Sequence, residues 1–237
     1  MEEKHIREHR SLLAAPEKRL LIAIARRLPR WINSDHLTVL ALTAMAAAGG
    51  GYVLAGWDMR ARWLVVAALA VNWFGDSLDG TVARVRQTER PRYGFYVDHV
   101  VDIAGSALLF AGLAASPFMS APIALAVLVA YLLVSAEVYL ATAVHYVFRM
   151  SFAGVGPTEL RILMAVGTVM LAGDPRVSLG PLGQWQLFDV GGLVATAGLL
   201  FAFASSVYRN TRDLARLEPP KAQSPSSTRR DCRPAAA

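Results

Sequence analysis

Cysteine is almost absent: Cys232 is the only one in 237 residues, so the chain can form no internal disulfide, and no group of Cys and His has the spacing of a zinc site. Charge is scarce as well. Only 18% of the residues are charged and 54% are hydrophobic, too apolar a balance for an ordinary soluble domain of this length. No small-residue cleavage site follows the first basic residues, so no cleavable signal is expected at the start. In place of these features the chain has long uncharged runs.

Runs able to cross a hydrocarbon core, which takes about 20 helical residues, cover roughly 37–56, 63–83, 95–115, 121–148 and 188–208, with a shorter one over 160–172. Backbone groups in lipid must be satisfied within the segment, so these spans are helices. The expectation is an all-α integral membrane protein with six transmembrane helices. The net charge of +6 raises the question of a nucleic-acid partner, but the distribution of Lys and Arg answers it differently. Six spans put both termini on one side, and that side collects 21 of the 24 Lys and Arg, against Arg60, Arg62 and Arg176 on the other. The positive-inside rule then places both termini and the 84–92 connection in the cytoplasm of a cell-membrane protein, and the basic character is topological, with no nucleic acid implied.

Three regions follow. Residues 1–36 form a cytoplasmic N-terminal segment, in which Leu20, Ile24 and Leu28 recur at helical spacing among Lys18, Arg19, Arg26 and Arg27; this pattern fits an interfacial amphipathic helix, and equally a solvated basic collar. Residues 37–213 hold the spans. Residues 214–237 are a Pro- and Ser-rich basic tail with little to bury, expected to be disordered. No internal repeat is visible.

Ionisable residues inside spans cost about 2.5 to 3.5 kcal/mol each on insertion scales and so mark function. Asp76 and Asp79 lie three apart at the end of the second run, and Asp98 and Asp102 four apart at the start of the third. Each spacing puts the pair on one helix face. Gly80, Ala83, Gly94 and Gly105 share these faces and permit close approach. With no cation on their own faces, four carboxylates would repel one another strongly, and divalent ions relieve that. Oxygen-only ligands suit Mg²⁺, Mn²⁺ or Ca²⁺, and Mg²⁺ commonly binds through carboxylates together with substrate phosphates.

The order Asp76-x-x-Asp79-Gly80-x-x-Ala83-Arg84, then Gly94-x-x-x-Asp98-x-x-x-Asp102, closely resembles the signature of the CDP-alcohol phosphatidyltransferase family. One departure is that nine residues separate Arg84 from Gly94, where many members have eight. The resemblance implies transfer of a substituted phosphoryl group from a CDP-linked donor to an alcohol, with release of CMP, in phospholipid synthesis at the cytoplasmic face. It implies that Asp76, Asp79, Asp98 and Asp102 are metal ligands for Mg²⁺ or Mn²⁺, that Asp102 is also the general base, and that Gly80, Ala83 and Arg84 receive the nucleotide. Homodimers are frequent in the family. His99 is an alternative base, but one residue beyond Asp98 turns it about 100° from the acidic face.

A second stretch, His145 to Arg161, resembles the segment of choline and ethanolamine phosphotransferases that ends in Gly-Pro-Thr-Glu, here Gly156, Pro157, Thr158 and Glu159. Those enzymes also carry Asp-His at the position of Asp98 and His99. The favoured reading is therefore a soluble CDP-aminoalcohol donor with a diacylglycerol-like acceptor; the alternative is a CDP-diacylglycerol donor with a small polar alcohol. A helix start explains Pro157 to Glu159 as readily. Gly94, His99, Glu137 and Glu159 are candidate substrate contacts, with Glu137 equally readable as a structural acid. Asn33, Ser34, Asp35 and Thr38 read as a helix cap more than as a nucleotide contact, and Gly49–Gly51 as a close helix contact or kink. Two other classes compete. An ion transporter would hold its acids near the midplane, and a silent membrane scaffold would keep the fold without turnover.

Overall fold

The computed structural model describes residues 7–8, 14–145, 148–149, 157–173 and 176–218. The described residues form seven α-helices: α1 (Ala14–Arg27), α2 (Ser34–Ala55), α3 (Arg62–Val85), α4 (Pro91–Ala114), α5 (Ala121–His145), α6 (Pro157–Met170) and α7 (Leu187–Leu217). Four are long and apolar enough to cross a membrane: α2, α4, α5 over Ala121–Val144, and α7. The chain is thus an all-helical multi-pass membrane protein. α3 matches these in length, but Arg62, Asp76, Asp79 and Arg84 interrupt its hydropathy. α6 has only 14 residues, continued by the tight turn Leu171–Gly173. The six-span expectation therefore rests on one helix too charged and one too short to qualify by composition.

α2 is the central helix, packed on both α3 and α4. Its sequence explains this, since Ala and Gly recur on every side and let neighbouring backbones approach, the main route to helix association where lipid is as apolar as the side chains. A Cβ on Gly49 would strike the Leu108 carbonyl, and one on Gly112 would strike the Gly49 backbone. Within the glycine run, Gly49 thus makes the α2–α4 contact, Gly51 packs against Val65 of α3, and Gly50 faces open space. Ala48, Tyr52, Val65, Leu69, Leu109 and Leu113 fill the core between α2, α3 and α4, and a 2.7 Å hydrogen bond between the Tyr52 hydroxyl and Thr168 Oγ1 ties α2 to α6.

The N-terminal helix forms, but its buried stripe is Leu21 and Ala25, with Ile24 and Leu28 partly covered, while Leu20 is 52% exposed. The expected stripe of Leu20, Ile24 and Leu28 is rotated by about one residue. The cause is an apolar bed of Leu37, Leu78 and Val82, which draws α1 onto protein while Lys18, Arg19, Arg26 and Arg27 stay exposed. Arg86 locks its end: the guanidinium donates to the Leu28 and Pro29 carbonyls at 3.0 Å each and to the Ile32 carbonyl. α3 closes just there. Gln87 takes a left-handed conformation at φ 57°, its N–H donates to the Arg84 carbonyl at 3.2 Å and the Thr88 N–H to the Ala83 carbonyl at 2.9 Å, the paired bonds of a Schellman motif.

α7 runs unbroken to Leu217, past the boundary expected at 213. Residues 219–237 of the basic tail lie outside the described residues.

Candidate functional site

The first turn of α2, the end of α3, the start of α4 and the start of α6 meet at one end of the bundle. Asn33 caps α2 by accepting from the His36 N–H at 2.9 Å, while the His36 ring accepts from the Asn33 N–H at 3.3 Å, a reciprocal capping box. The cap reading of this segment holds, and the same segment also reaches the acids. Ser34 Oγ donates to the Asp79 carbonyl at 2.9 Å, Thr38 Oγ1 donates to Asp79 Oδ2 at 2.8 Å, and Asp35 pairs with Arg90.

One carboxylate oxygen from each of Asp76, Asp98 and Asp102 lies within 4.8 Å of the others, all three residues being partly buried. Helical geometry accounts for this, because Asp98 and Asp102 stack one turn apart on α4 and α3 brings Asp76 against them. Three hard oxygen donors converging in a partly desolvated place fit a divalent cation and suit Mg²⁺ or Mn²⁺ better than a softer metal. Asp79 is not brought into this triad. Its carboxylate accepts from Thr38 Oγ1 of α2 and from the N–H of its own neighbour Gly80 on α3.

Arg161, read in the sequence only as the end of the Gly-Pro-Thr-Glu stretch and as a topological charge, joins the site. Its Nη2 donates to Asp76 Oδ2 at 2.7 Å and its Nε to Asn72 Oδ1 at 2.7 Å. The acids therefore do have a cation, supplied across the bundle by α6. The available signal was a lone Arg at the head of an otherwise uncharged run, since an intramembrane charge needs an inward partner.

The other candidates separate. Gly80 lies under the Arg84 guanidinium, which donates to Thr81 Oγ1 at 3.1 Å. Ala83 follows on the same helix end. A Cβ on Gly94 would meet nothing, whereas Gly105 packs against Met45 in the α2 contact. His99 is buried, its Nδ1 donating to the Phe95 carbonyl at 2.6 Å and lying 3.8 Å from Asp98 Oδ2, with its ring set between Phe95 and Tyr139. That orientation carries it into the α4–α5 contact. Glu137 faces α7, where Asn210 Nδ2 donates to its Oε1 at 2.6 Å. Thr158 donates to Glu17 Oε1 at 3.1 Å. Gly156 and the Glu159 side chain lie outside the described residues.

Beside the triad, α1, α3 and α6 enclose a groove of about 490 Å³ lined by Leu20, Val66, Leu69, Ala70, Ile162 and Ala165 along its length and by Glu17, Trp73, Thr158 and Arg161 at its polar end. Trp73 Nε1 donates to Glu17 at 2.7 Å, which fixes α1 over that end. Arg161 belongs to both places, touching Asp76 on one side and lining the groove on the other.

The sequence matches the CDP-alcohol phosphatidyltransferase family over residues 31–204. No curated protein matches it at a significant level. Among solved structures it is similar to the Mycobacterium tuberculosis phosphatidylinositol phosphate synthase with CDP-DAG bound, at 22% identity and a TM-score of 0.49, over 83% of this chain and 92% of that one. With a matched region that spans most of the chain and includes all four motif aspartates, the protein belongs to the CDP-alcohol phosphatidyltransferase family and is a membrane phosphotransferase of phospholipid synthesis.

Proposed function

We propose that the enzyme moves a phosphoaminoalcohol group from a soluble CDP-linked donor to the hydroxyl of a diacylglycerol-like acceptor, at the cytoplasmic face of a six-span protein with both termini in the cytoplasm. The observation that carries the reading is the apposition, through Arg161, of a carboxylate triad and an apolar groove large enough for acyl chains. The Gly156 to Glu159 segment and the Asp98-His99 pair support the aminoalcohol donor. The same groove favours a second reading, in which its occupant is a CDP-diacylglycerol donor and the acceptor is a small alcohol.

Asp76, Asp98 and Asp102 hold the Mg²⁺ or Mn²⁺. A divalent ion there supplies neutralising charge to the donor's phosphate oxygens. Asp79, braced by Thr38, stands with Gly80, Ala83 and Arg84 on the nucleotide side. Asp102 takes the proton of the acceptor hydroxyl as its oxygen attacks the phosphorus distal to cytidine; the bond from that phosphorus to the bridging oxygen breaks, and CMP leaves. Holding both reactants in line accounts for much of the rate, and a positioned carboxylate serves as the general base.

The test is divalent-dependent CMP release by protein in lipid nanodiscs with CDP-choline, CDP-ethanolamine or CDP-diacylglycerol and matched acceptors. Turnover with an aminoalcohol donor and diacylglycerol is expected. Turnover with CDP-diacylglycerol alone replaces this reading with the second, and CMP and Mn²⁺ binding with no turnover on any donor points to a different alcohol.

A further inference from the structure

One oxygen of the triad is already committed to a cation of the protein's own. The Arg161 guanidinium is fixed at two points, Asp76 Oδ2 and Asn72 Oδ1, both at 2.7 Å. Asn72 is buried and is held in turn by donating to the Ala41 carbonyl at 3.0 Å. The Arg161 and Asp76 side chains are 17% and 24% exposed, so their pairing is screened far less than a surface ion pair would be. A chain of contacts from the α2 backbone through Asn72 thus sets the guanidinium against one ligand of the triad.

We propose that Arg161 is a stand-in cation, which neutralises Asp76 as the bundle assembles and which a divalent ion must then overcome to use that carboxylate. This rests on the reading of Asp76, Asp98 and Asp102 as a divalent site. The argument is electrostatic. Three carboxylates this close repel one another, and a single guanidinium relieves part of that repulsion. The same guanidinium withdraws charge from Asp76 and repels a doubly charged ion a few ångströms away. Arg161 therefore favours the folded bundle and opposes ion binding, and the divalent concentration that the enzyme needs is set partly by a residue that is not a ligand.

The probe is Mn²⁺ alone, its affinity measured by electron paramagnetic resonance on protein in nanodiscs, together with thermal unfolding in EDTA and in saturating Mn²⁺. Arg161→Gln is expected to unfold at a lower temperature in EDTA, to gain a larger Mn²⁺-induced shift than the unaltered protein, and to bind Mn²⁺ about tenfold more tightly, the scale of a charge-assisted hydrogen bond removed. Asn72→Ala keeps every charge and releases one anchor of the guanidinium; it is expected to bind Mn²⁺ with an intermediate affinity. It also serves if Arg161→Gln does not fold.

Unchanged or weaker Mn²⁺ binding in Arg161→Gln would overturn the proposal, as would Asn72→Ala binding at the unaltered affinity, which would mean a distant field and no contact. If Asp98→Asn abolishes Mn²⁺ binding while Arg161→Gln leaves it alone, the divalent site stands and only the role of Arg161 falls. If the unaltered protein binds no Mn²⁺, both fall.

Discussion

Thr38 on α2 donates from Oγ1 to Asp79 Oδ2 at 2.8 Å, a bond that spans two helices and engages the one motif aspartate outside the triad. Four similar carboxylates thus divide into a triad and an outlier. Asp98→Asn is expected to abolish Mn²⁺ binding, whereas Asp79→Asn keeps an ion on the triad but weakens metal-dependent CMP binding. Paramagnetic resonance for Mn²⁺ and calorimetry for CMP separate the two, and equal loss of Mn²⁺ by both variants would show that Asp79 joins the triad when an ion binds.

Asp102 is assigned the proton. Asp102→Asn is expected to lower CMP release by about 10²- to 10⁴-fold, the usual contribution of a positioned general base, and to do so even at Mn²⁺ concentrations that saturate a site weakened by the loss of one ligand. His99→Gln is the comparison: with its ring turned to Phe95 and Tyr139, it should keep most turnover in the same assay.

The groove can be blocked without touching the acids. Ala70 and Ala165 line it from α3 and α6, and Ala70→Phe places an aromatic ring where acyl chains are proposed to lie. KM for the lipid substrate should rise several-fold while Mn²⁺ and CMP binding stay unchanged. Unaltered lipid kinetics would move the lipid site elsewhere.

Two neighbouring residues at the end of α3 should change stability in opposite directions. Gln87 holds a left-handed conformation at φ 57°, so Gln87→Gly removes a steric cost of about 1 kcal/mol and should raise the unfolding temperature with little change in turnover.

Arg86→Ala should do the reverse. It strips the donors from the Leu28, Pro29 and Ile32 carbonyls and is expected to lower stability by roughly 1 to 3 kcal/mol, with α1 loosened first. Protease accessibility of the residues before Ser34 reads this directly.

Much of this arrangement is legible in the order of residues. Uncharged runs mark the helices, and the spacings 76–79 and 98–102 bring acids to one face because helical periodicity is local. What was not legible depends on partners far apart in the chain. Nothing near Asp79 announces Thr38, 41 residues earlier, and nothing near Asp76 announces Arg161, 85 residues later. The stripe of α1 was misplaced for the same reason: Leu20 and Leu21 are equally apolar, and only the bed formed by Leu78 and Val82 selects between them. α3 and α6 are the two expected spans that do not qualify by composition, and these two helices supply Asp76 and Arg161 to the site. Function here takes charge and length away from the pattern that marks a span.

The unequal lengths of α6 and α7 have a bearing on the bilayer itself. At 1.5 Å per residue α7, with 31 residues, is about 46 Å long, well beyond a hydrocarbon core of about 30 Å, and its last turns carry Arg209, Arg212 and Arg216. α6 with its terminal turn reaches only roughly 27 Å. If α6 spans, as the proposed six-span arrangement requires, the membrane on its flank must thin or its neighbours must shield the helix. Arg161 sits in the second turn of that short helix, so thinning brings headgroups and water down towards the acids and the polar end of the groove. On the proposed six-span arrangement, membrane thickness becomes a variable of catalysis, distinct from the chemistry of the lipid consumed, and shorter-chain bilayers should suit the enzyme better than thick, sterol-stiffened ones.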